Sequence, residues 1–295
     1  MLSAIIKAGF SITGTSEMAN RSVAMGANAL ASSIVLVCRK RDPDAPSTTR
    51  RNLTGELRRE LRPALQKLQQ SNIAPVDMPQ SAIGPGMAVF SKYAEVLEAD
   101  GTPMTVRGAL QLINQELDLY LNDQDGALDS ESRFCVELYT QKGFDIMKFG
   151  DAQVIATANV ISIQALAAKG ALYAQRGDVH LMDRDAIEVK VSDEPDNDWL
   201  LTQRLTKAMA MGGREACAKL LAPVMEAAER AKALAYRLYA IAERKGWAAE
   251  AYAYNSLVTD WAAVMDRARQ LQDVSAEQLS FGFALEVSSE EDGGA

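Results

Sequence analysis

The 295-residue chain carries a formal net charge of −8, from 31 Lys and Arg against 39 Asp and Glu. That balance argues against a free-standing nonspecific nucleic-acid binder, which needs a positive footprint for phosphates. The length suffices for one sizeable core or two smaller domains, and no apolar run is long enough to span a bilayer.

The opening MLSAIIKA reads as about two turns of helix. Gly9 to Thr15 alternates apolar and polar residues, the period of a strand. Ile34-Val35-Leu36-Val37-Cys38 is an apolar run too short for a helix, which predicts a strand buried on both faces, as inside an α/β sheet. Such a strand needs neighbours that MLSAIIKA cannot supply. The pair is therefore expected to close a sheet whose other strands lie elsewhere.

RDPDAPSTTRR follows as a charged connector in which Pro43 and Pro46 stop any regular element. From Thr54, the spacing of Leu57, Leu61, Leu65 and Leu68 predicts a helix whose opposite face carries Arg58, Arg59, Arg62 and Lys67. The prolines and glycines of NIAPVDMPQSAIGPG predict an ordered loop over 72–85. Helices are expected over 87–98, 105–121 and 130–142, the last closed by Gly143.

Two short helical runs, 152–158 and 163–169, then lead into LYAQRGDVHLM, where alternating strands flank an Arg176-Gly177-Asp178 hairpin turn. Helix, helix, hairpin is a winged-helix layout. After the polar linker SDEPDND, residues 199–271 read as a bundle of three or four Ala- and Leu-rich helices, with a stop at Gly246. The tail EVSSEEDGGA is acidic and lacks apolar anchors, the composition of a disordered segment. The expected class is thus α+β, mostly α. Its expected divisions are terminal sheet strands (1–41), a helical region (42–149), a winged-helix-like segment (150–192), a helical bundle (197–272) and the tail (284–295).

Three stretches carry a family resemblance: GANALASSIVLVCRKR, NIAPVDMPQSAIGPGMAVFSKYAEVLEADGTPMTVRGALQLINQEL and LAYRLYAIAERKGWAAEAYAYNSLVTDW. In that order they resemble the C-terminal third of the large zinc-ribbon-containing adenine-specific DNA methylases. Those are bacterial and archaeal proteins often found beside phage-defence and restriction-type genes. The resemblance runs from about Leu2 to Trp261. It implies that residues 1–41 are a remnant of a methyltransferase α/β sheet, its last strands, and that the whole enzyme methylates the N6 of adenine from S-adenosylmethionine. It also implies DNA as a partner through the full enzyme, together with a separately encoded N-terminal methylase half or other defence proteins.

The chemistry of such an enzyme is not written in this chain. An amino-methylase needs a glycine-rich turn after its first strand for the cofactor and an Asp/Asn/Ser-Pro-Pro-aromatic loop for the flipped base. No Pro-Pro pair occurs, Asp42-Pro43-Asp44 lacks the second proline and the ring, and Gly84-Pro85-Gly86 does not follow a strand. Where relatives carry a Trp-Pro loop after the first of the two strands, this chain reads the shorter GTSEMANRSVAMGA. No catalytic or cofactor-binding residue is assigned, no cofactor is expected in this chain, and the chain alone is expected to be inactive.

Candidate DNA contacts are Arg21 and Asn28 in the loop between the strands, and the basic run Arg39, Lys40, Arg41, Arg50 and Arg51 on the connector, where cations could follow a phosphate backbone without reading bases. For each, a solvated or turn-capping role is the simpler reading. The second winged-helix run, ISIQALAAKG, offers only Gln164 and Lys169 for base readout, which favours a structural or protein-binding winged helix. His180 is read as a strand-surface histidine rather than a base. Tyr236, Tyr239, Trp247, Tyr252, Tyr254 and Trp261 recur at helical spacing, and Arg237, Arg244 and Lys245 among them are offset by Glu243 and Glu250. That favours helix–helix packing over a base-stacking platform.

Cys38, Cys135 and Cys217 lie far apart in apolar patterns and form no CxxC pair. Buried reduced thiols are expected, with neither a metal site nor a disulfide framework. With no secretory signal ahead of the first strand, the expected location is cytoplasmic. The rival to the methylase reading is a non-enzymatic helical interaction module of a phage-defence system. An independent hydrolase is disfavoured, because no nucleophile motif or metal-ligand cluster is visible.

Overall fold

A computed structural model of the chain describes residues 1–19, 32–191 and 197–274. They form two compact units, Met1–Asp123 and Gln124–Ala295. The architecture is α+β and mostly α. The divisions expected at 41 and 149 fall inside these units, because the first strands pack on a downstream helix and the winged-helix-like segment draws on elements before residue 150. The expected tail, 284–295, lies outside the described residues.

In the first unit, α1 (Leu2–Lys7) turns at Gly9, whose φ of +79° suits glycine, into β1 (Phe10–Ala19). β1 pairs antiparallel with β2 (Ser32–Lys40), in register from Phe10↔Lys40 to Ala19↔Ser32, with a bulge between Ile12 and Gly14. The ribbon is two-stranded among the described residues. Ile12 is 1% exposed, but Val35 is 42% and Val37 50% exposed. The expected burial of β2 on both faces is therefore corrected: Val35 and Val37 are exposed, and Leu36 and Cys38 opposite them are half-buried.

The connector is also more ordered than its prolines suggest. β3 (Ser47–Thr49) pairs in parallel with β4 (Glu95–Leu97), and α2 (Arg50–Gln70) begins at once behind Thr49, whose hydroxyl accepts from Asn52 N. The buried stripe of α2 is Leu53, Leu57, Leu61 and Leu65; Leu68 is only half-buried. The loop expected over 72–85 is instead a short 3-10 turn (Pro75–Asp77) and the start of α3 (Met78–Ser91). Pro79 sits in the first helical turn, where a missing N–H costs nothing. Gly84, Gly86, Met87, Val89, Phe90 and Ser91 are buried, and that packing outweighs the weak helix propensity of the segment. The helix expected to run to residue 98 ends at Ser91, since 95–97 is strand β4.

α3 forms the centre of this unit, against α2, α4 (Val106–Asp123) and β1. Polar ties hold the same contacts. Ser91 Oγ accepts from Ile12 N at 2.7 Å, which satisfies a backbone donor of the ribbon from the end of α3. Arg58 makes a fork on Glu116 of α4, 3.0 and 2.9 Å, with the carboxylate 5% exposed.

Glu56 of α2 accepts from both Lys92 Nζ and Tyr93 Oη just beyond α3. Partial burial would raise the Glu56 pKa, but the hydrogen bonds from Lys92 and Tyr93 and the nearby positive charges outweigh it and hold the carboxyl below its usual range. A depressed carboxyl stabilises the fold above its unfolded pKa, and that contribution fades as pH falls through the folded one. Glu56→Gln is thus expected to cost about 1 kcal/mol at pH 7 and less at pH 3. Urea midpoints followed by helical circular dichroism at the two pH values check this.

In the second unit, α5 (Ser130–Lys142) starts at the N-cap Asp129 and stops at Gly143, φ +64°, as its sequence requires. β5 (Met147–Lys148), α6 (Phe149–Ala158), α7 (Ile163–Ala168), β6 (Leu172–Gln175) and β7 (Asp178–Leu181) follow. The three strands form one antiparallel sheet in the order β5-β7-β6, so helix, strand, helix, helix and hairpin reproduce a winged-helix-like arrangement. Arg176 and Gly177 both have positive φ, +54° and +85°, the two-residue turn that matches strand twist.

The bundle comprises α8 (Asp198–Leu221), a 3-10 segment (Ala222–Ala227), α9 (Ala228–Lys245), α10 (Ala248–Thr259) and a further helix, α11, over 261–274. α8 is broken at Gly213, whose φ of 58° and ψ of −149° belong to glycine alone. Gly246 ends α9 in the left-handed region, φ +75°. One core runs through the winged-helix-like segment and the bundle, with Phe134, Tyr139, Leu172, Val179, Trp199, Leu238 and Tyr254 in it. Cys135 and Cys217 are buried free thiols, and Cys38 is a half-buried one.

Candidate functional site

The expected DNA contacts divide sharply. Arg21 and Asn28 lie outside the described residues. Arg39 and Lys40 at the end of β2, and Arg51 in the first turn of α2, are exposed. Arg41 does different work: its Nη1 donates to Ala94 O at 3.1 Å, and its Nη2 donates to Ile6 O at 3.0 Å and Phe10 O at 3.4 Å. Arg41 thereby clamps α1, β1 and the chain before β4, and is not free for a phosphate. Arg50 pairs with Glu98 at 3.1 Å. On α2, Arg58 and Arg62 reach Glu116 and Asp123 of α4, and Arg59 reaches Glu56 and Glu60. The basic face of that helix is largely neutralised by its own unit.

The ribbon offers a different chemistry. Ser91 covers β1 at Ile12, and Ser11 and Thr13 hydroxyls donate to Arg39 O and Val37 O of β2. Among the described residues no strand pairs with the outer edge of β2. An exposed edge beside two exposed valines is a template for a further strand.

In the winged-helix-like segment, α7 exposes Gln164 and Ala165, and Lys169 behind it is held by Glu131 at 2.6 and 2.8 Å. A base-reading surface is not assembled there. Two large apolar residues nearby are exposed: Val154 is 71% and Val160 91% exposed, and Val160 adopts φ +57°, a costly conformation for a β-branched residue. His180 stacks on Tyr173 with ring centres 5.0 Å apart, and its Nδ1 lies 2.9 Å from Leu181 O. It is a sheet-surface residue with no nucleophile beside it.

The most concentrated polar chemistry lies where the bundle meets α5 and the turn after β7. Arg184 donates to Glu250 and, at 3.0 Å, to Gln203 Oε1, while its guanidinium lies 4.9 Å from the Tyr254 ring centre. Gln203 Nε2 donates to Tyr254 Oη at 3.0 Å, and Tyr139 Oη donates weakly to Glu250 at 3.5 Å. Burial pushes the Tyr254 hydroxyl up to about 12 and the Tyr139 hydroxyl up as well, so both keep their protons at neutral pH.

Beside this network, a groove of about 320 Å³ is lined by Lys142, Phe144, Asp145, Trp247 and Glu250 with the backbone between them. Of the aromatics expected as core, Tyr236, Tyr239, Tyr254 and Trp261 are buried, Tyr252 is 75% exposed, and Trp247 forms a groove wall. Arg184 and Phe144 were not legible as site residues, because nothing local in sequence marks them and their partners lie far along the chain.

Among the described residues no group of His, Cys, Asp or Glu is arranged to hold a metal, and no helix is long and apolar enough to cross a membrane. S-adenosylmethionine, implied by the methylase resemblance, finds no fitting cradle among the described residues. β3 runs directly into α2 and β5 directly into α6, without a glycine-rich turn in either case. No curated protein and no solved structure matches the chain. Residues 129–281, more than half the chain, match the family described as "Domain of unknown function (DUF8807)", and the chain belongs to that family.

Proposed function

We propose that the protein is a non-catalytic component of an adenine-N6 DNA methyltransferase, equivalent to the C-terminal part of the zinc-ribbon adenine-specific methylases. In this reading β1 and β2 complete a catalytic sheet whose other strands lie in an N-terminal methylase half. The helical elements then serve target recognition or partner docking. The observation that carries the proposal is the ribbon itself: Ile34 to Cys38 has the composition of a sheet interior, yet Val35 and Val37 are exposed and the β2 edge is unpaired among the described residues. The partner half would supply S-adenosylmethionine binding and the reacting groups, and this chain would supply strand pairing and buried apolar surface.

A second reading, a non-enzymatic interaction module of a phage-defence system, is favoured by the exposed Val154 and Val160 on the winged-helix-like segment. Co-expression with a methylase half that carries the glycine turn and the Pro-Pro-aromatic loop separates the two. The methylase reading expects a stable complex that binds S-adenosylmethionine, while the chain alone shows no binding by calorimetry. Val37→Lys should weaken assembly at least tenfold, because it places a charge on the open face, and should leave the thermal unfolding of the chain unchanged. Cofactor binding by the isolated chain, or assembly indifferent to Val37→Lys, rejects the proposal.

A further inference from the structure

The groove between the end of α5 and the start of α10 has walls set by packing rather than by chance. Tyr139 is fully buried, and Phe144 and Trp247 both meet it edge-on, with ring centres 5.6 and 5.2 Å away. Trp247 also lies so close over Gly143 that a Cβ there would approach its ring to 2.9 Å. Two rings are thus fixed at the rim of a space of about 320 Å³, at the small end of the range for ligand sites, roughly 300–1,000 Å³.

The lining carries two carboxylates, Asp145 and Glu250, and Arg184 already pairs with one oxygen of Glu250. Asp145 is exposed and its carboxylate has no partner among the described residues. Glu250 uses one oxygen, Oε2, for Arg184 and Tyr139, which leaves Oε1 without a hydrogen bond among the described residues. Lys142 is the single cation in the lining. Lys245 stands outside the lining, with its Nζ 6.0 Å from the Trp247 ring centre.

From this combination we infer that the groove binds an arginine side chain presented by a partner polypeptide. A guanidinium is planar and weakly hydrated, stacks on aromatic faces and donates to two carboxylates at once. Rigid rings beside Asp145 and the open oxygen of Glu250 supply those three needs. An ammonium would use the carboxylate acceptors but not the planar stacking, and an anion would meet the free acceptors of Asp145 and Glu250 while Arg184 is engaged with Glu250 and Gln203. The inference is independent of the methylase reading, since it concerns a groove that lies wholly within the second unit.

The test uses the full chain and Nα-acetyl-L-arginine amide, read on the indole N–H resonance of Trp247, identified by its loss in Trp247→Phe. Saturable binding with a roughly millimolar Kd is expected, and the neutral citrulline analogue should bind at least tenfold more weakly. Asp145→Asn should weaken binding three- to tenfold, whereas Lys142→Ala and Lys245→Ala should tighten it. Neither Asp145 nor Lys142 has a side-chain partner among the described residues, so the fold should tolerate both changes. Absence of saturation, equal binding of citrulline, or an inverted response to Asp145→Asn and Lys142→Ala overturns the inference.

Discussion

Gly86→Ala is expected to destabilise the first unit by about 2 kcal/mol, although the substitution exchanges a poor helix former for the best one. In an unhindered helix interior the change would stabilise by roughly 0.5–1 kcal/mol. Here a Cβ on residue 86 would sit 2.5 Å from Cγ1, 2.6 Å from Cδ1 and 2.9 Å from Cγ2 of Ile113. All three atoms belong to one fully buried side chain on α4, and a β-branched residue in a helix has essentially one χ1 available. The isoleucine cannot swing aside, so α3 and α4 must separate. Overpacking of this kind costs about 1–3 kcal/mol, and contacts this short place the cost near the upper end, above the propensity gain.

The mechanism is separable from a general sensitivity of α3. Ile113→Ala alone should cost about 2–4 kcal/mol from its cavity. In that background Gly86→Ala meets no obstacle and should become neutral or stabilising by a few tenths of a kcal/mol. The sign of the Gly86→Ala effect therefore reverses between the two backgrounds, a coupling of about 2–3 kcal/mol. Hydrogen exchange of α3 and α4 peptides reads the effect locally; all three tryptophans (199, 247 and 261) lie in the second unit and would not report it. A loss of equal size in both backgrounds would mean that Ile113 is not the obstacle.

The same glycine explains why α3 was illegible in the sequence. Pro79, Gly84, Pro85 and Gly86 carry every local mark of a loop, and what makes the segment helical is burial against α2, α4 and β1, which no local pattern encodes. β4 was missed for a related reason: Glu95–Leu97 is a strand only because Ser47–Thr49 lies beside it. By contrast α5 was legible to the residue, since Asp129 and Gly143 mark its ends chemically, and so was the stop at Gly246; the hairpin was legible as such, but its turn is Arg176-Gly177, with Asp178 already in β7. Periodicity found the stripe of α2 but placed its start late, because Thr49 caps the helix from within a charged connector.

Site residues fared according to the same logic. Composition singled out the basic residues at 39–51 but could not say that Arg41 binds three backbone carbonyls of its own unit. It also could not show that Glu98 answers Arg50. Pairing of Arg184 with Glu250, 66 positions away, is a property of the packed bundle, and so is the groove beside it.

Arg230→Leu is expected to cost about 3 kcal/mol at pH 8 and clearly less at pH 5. Asp198 opens α8 with a carboxylate that is 3% exposed, and Arg230 of α9 donates to its two oxygens at 2.9 and 3.1 Å. Removing one partner of a buried pair typically costs about 3–5 kcal/mol, because the other charge stays buried and uncompensated. Since the Arg230 side chain is 42% exposed, solvent screens the pair and the lower end applies. Burial raises the Asp198 pKa above 3.8, hydrogen bonding and charge from Arg230 pull it back, and Asp129 adds to the rise. A carboxyl whose folded pKa exceeds its unfolded one binds its proton more tightly in the native state. Its contribution to stability is therefore present at low pH and lost as pH rises through the folded pKa. Without Arg230 that gap widens, so the variant should regain stability on acidification relative to the parent. Adding Asp198→Asn, which removes the charge and keeps the shape, should restore most of the loss at pH 8. Trp199, adjacent and fully buried, gives the fluorescence signal for urea titrations at both pH values. A loss that is the same at pH 5 and pH 8 and survives Asp198→Asn would show that Arg230 acts through its packing along α9, not through the carboxylate it faces.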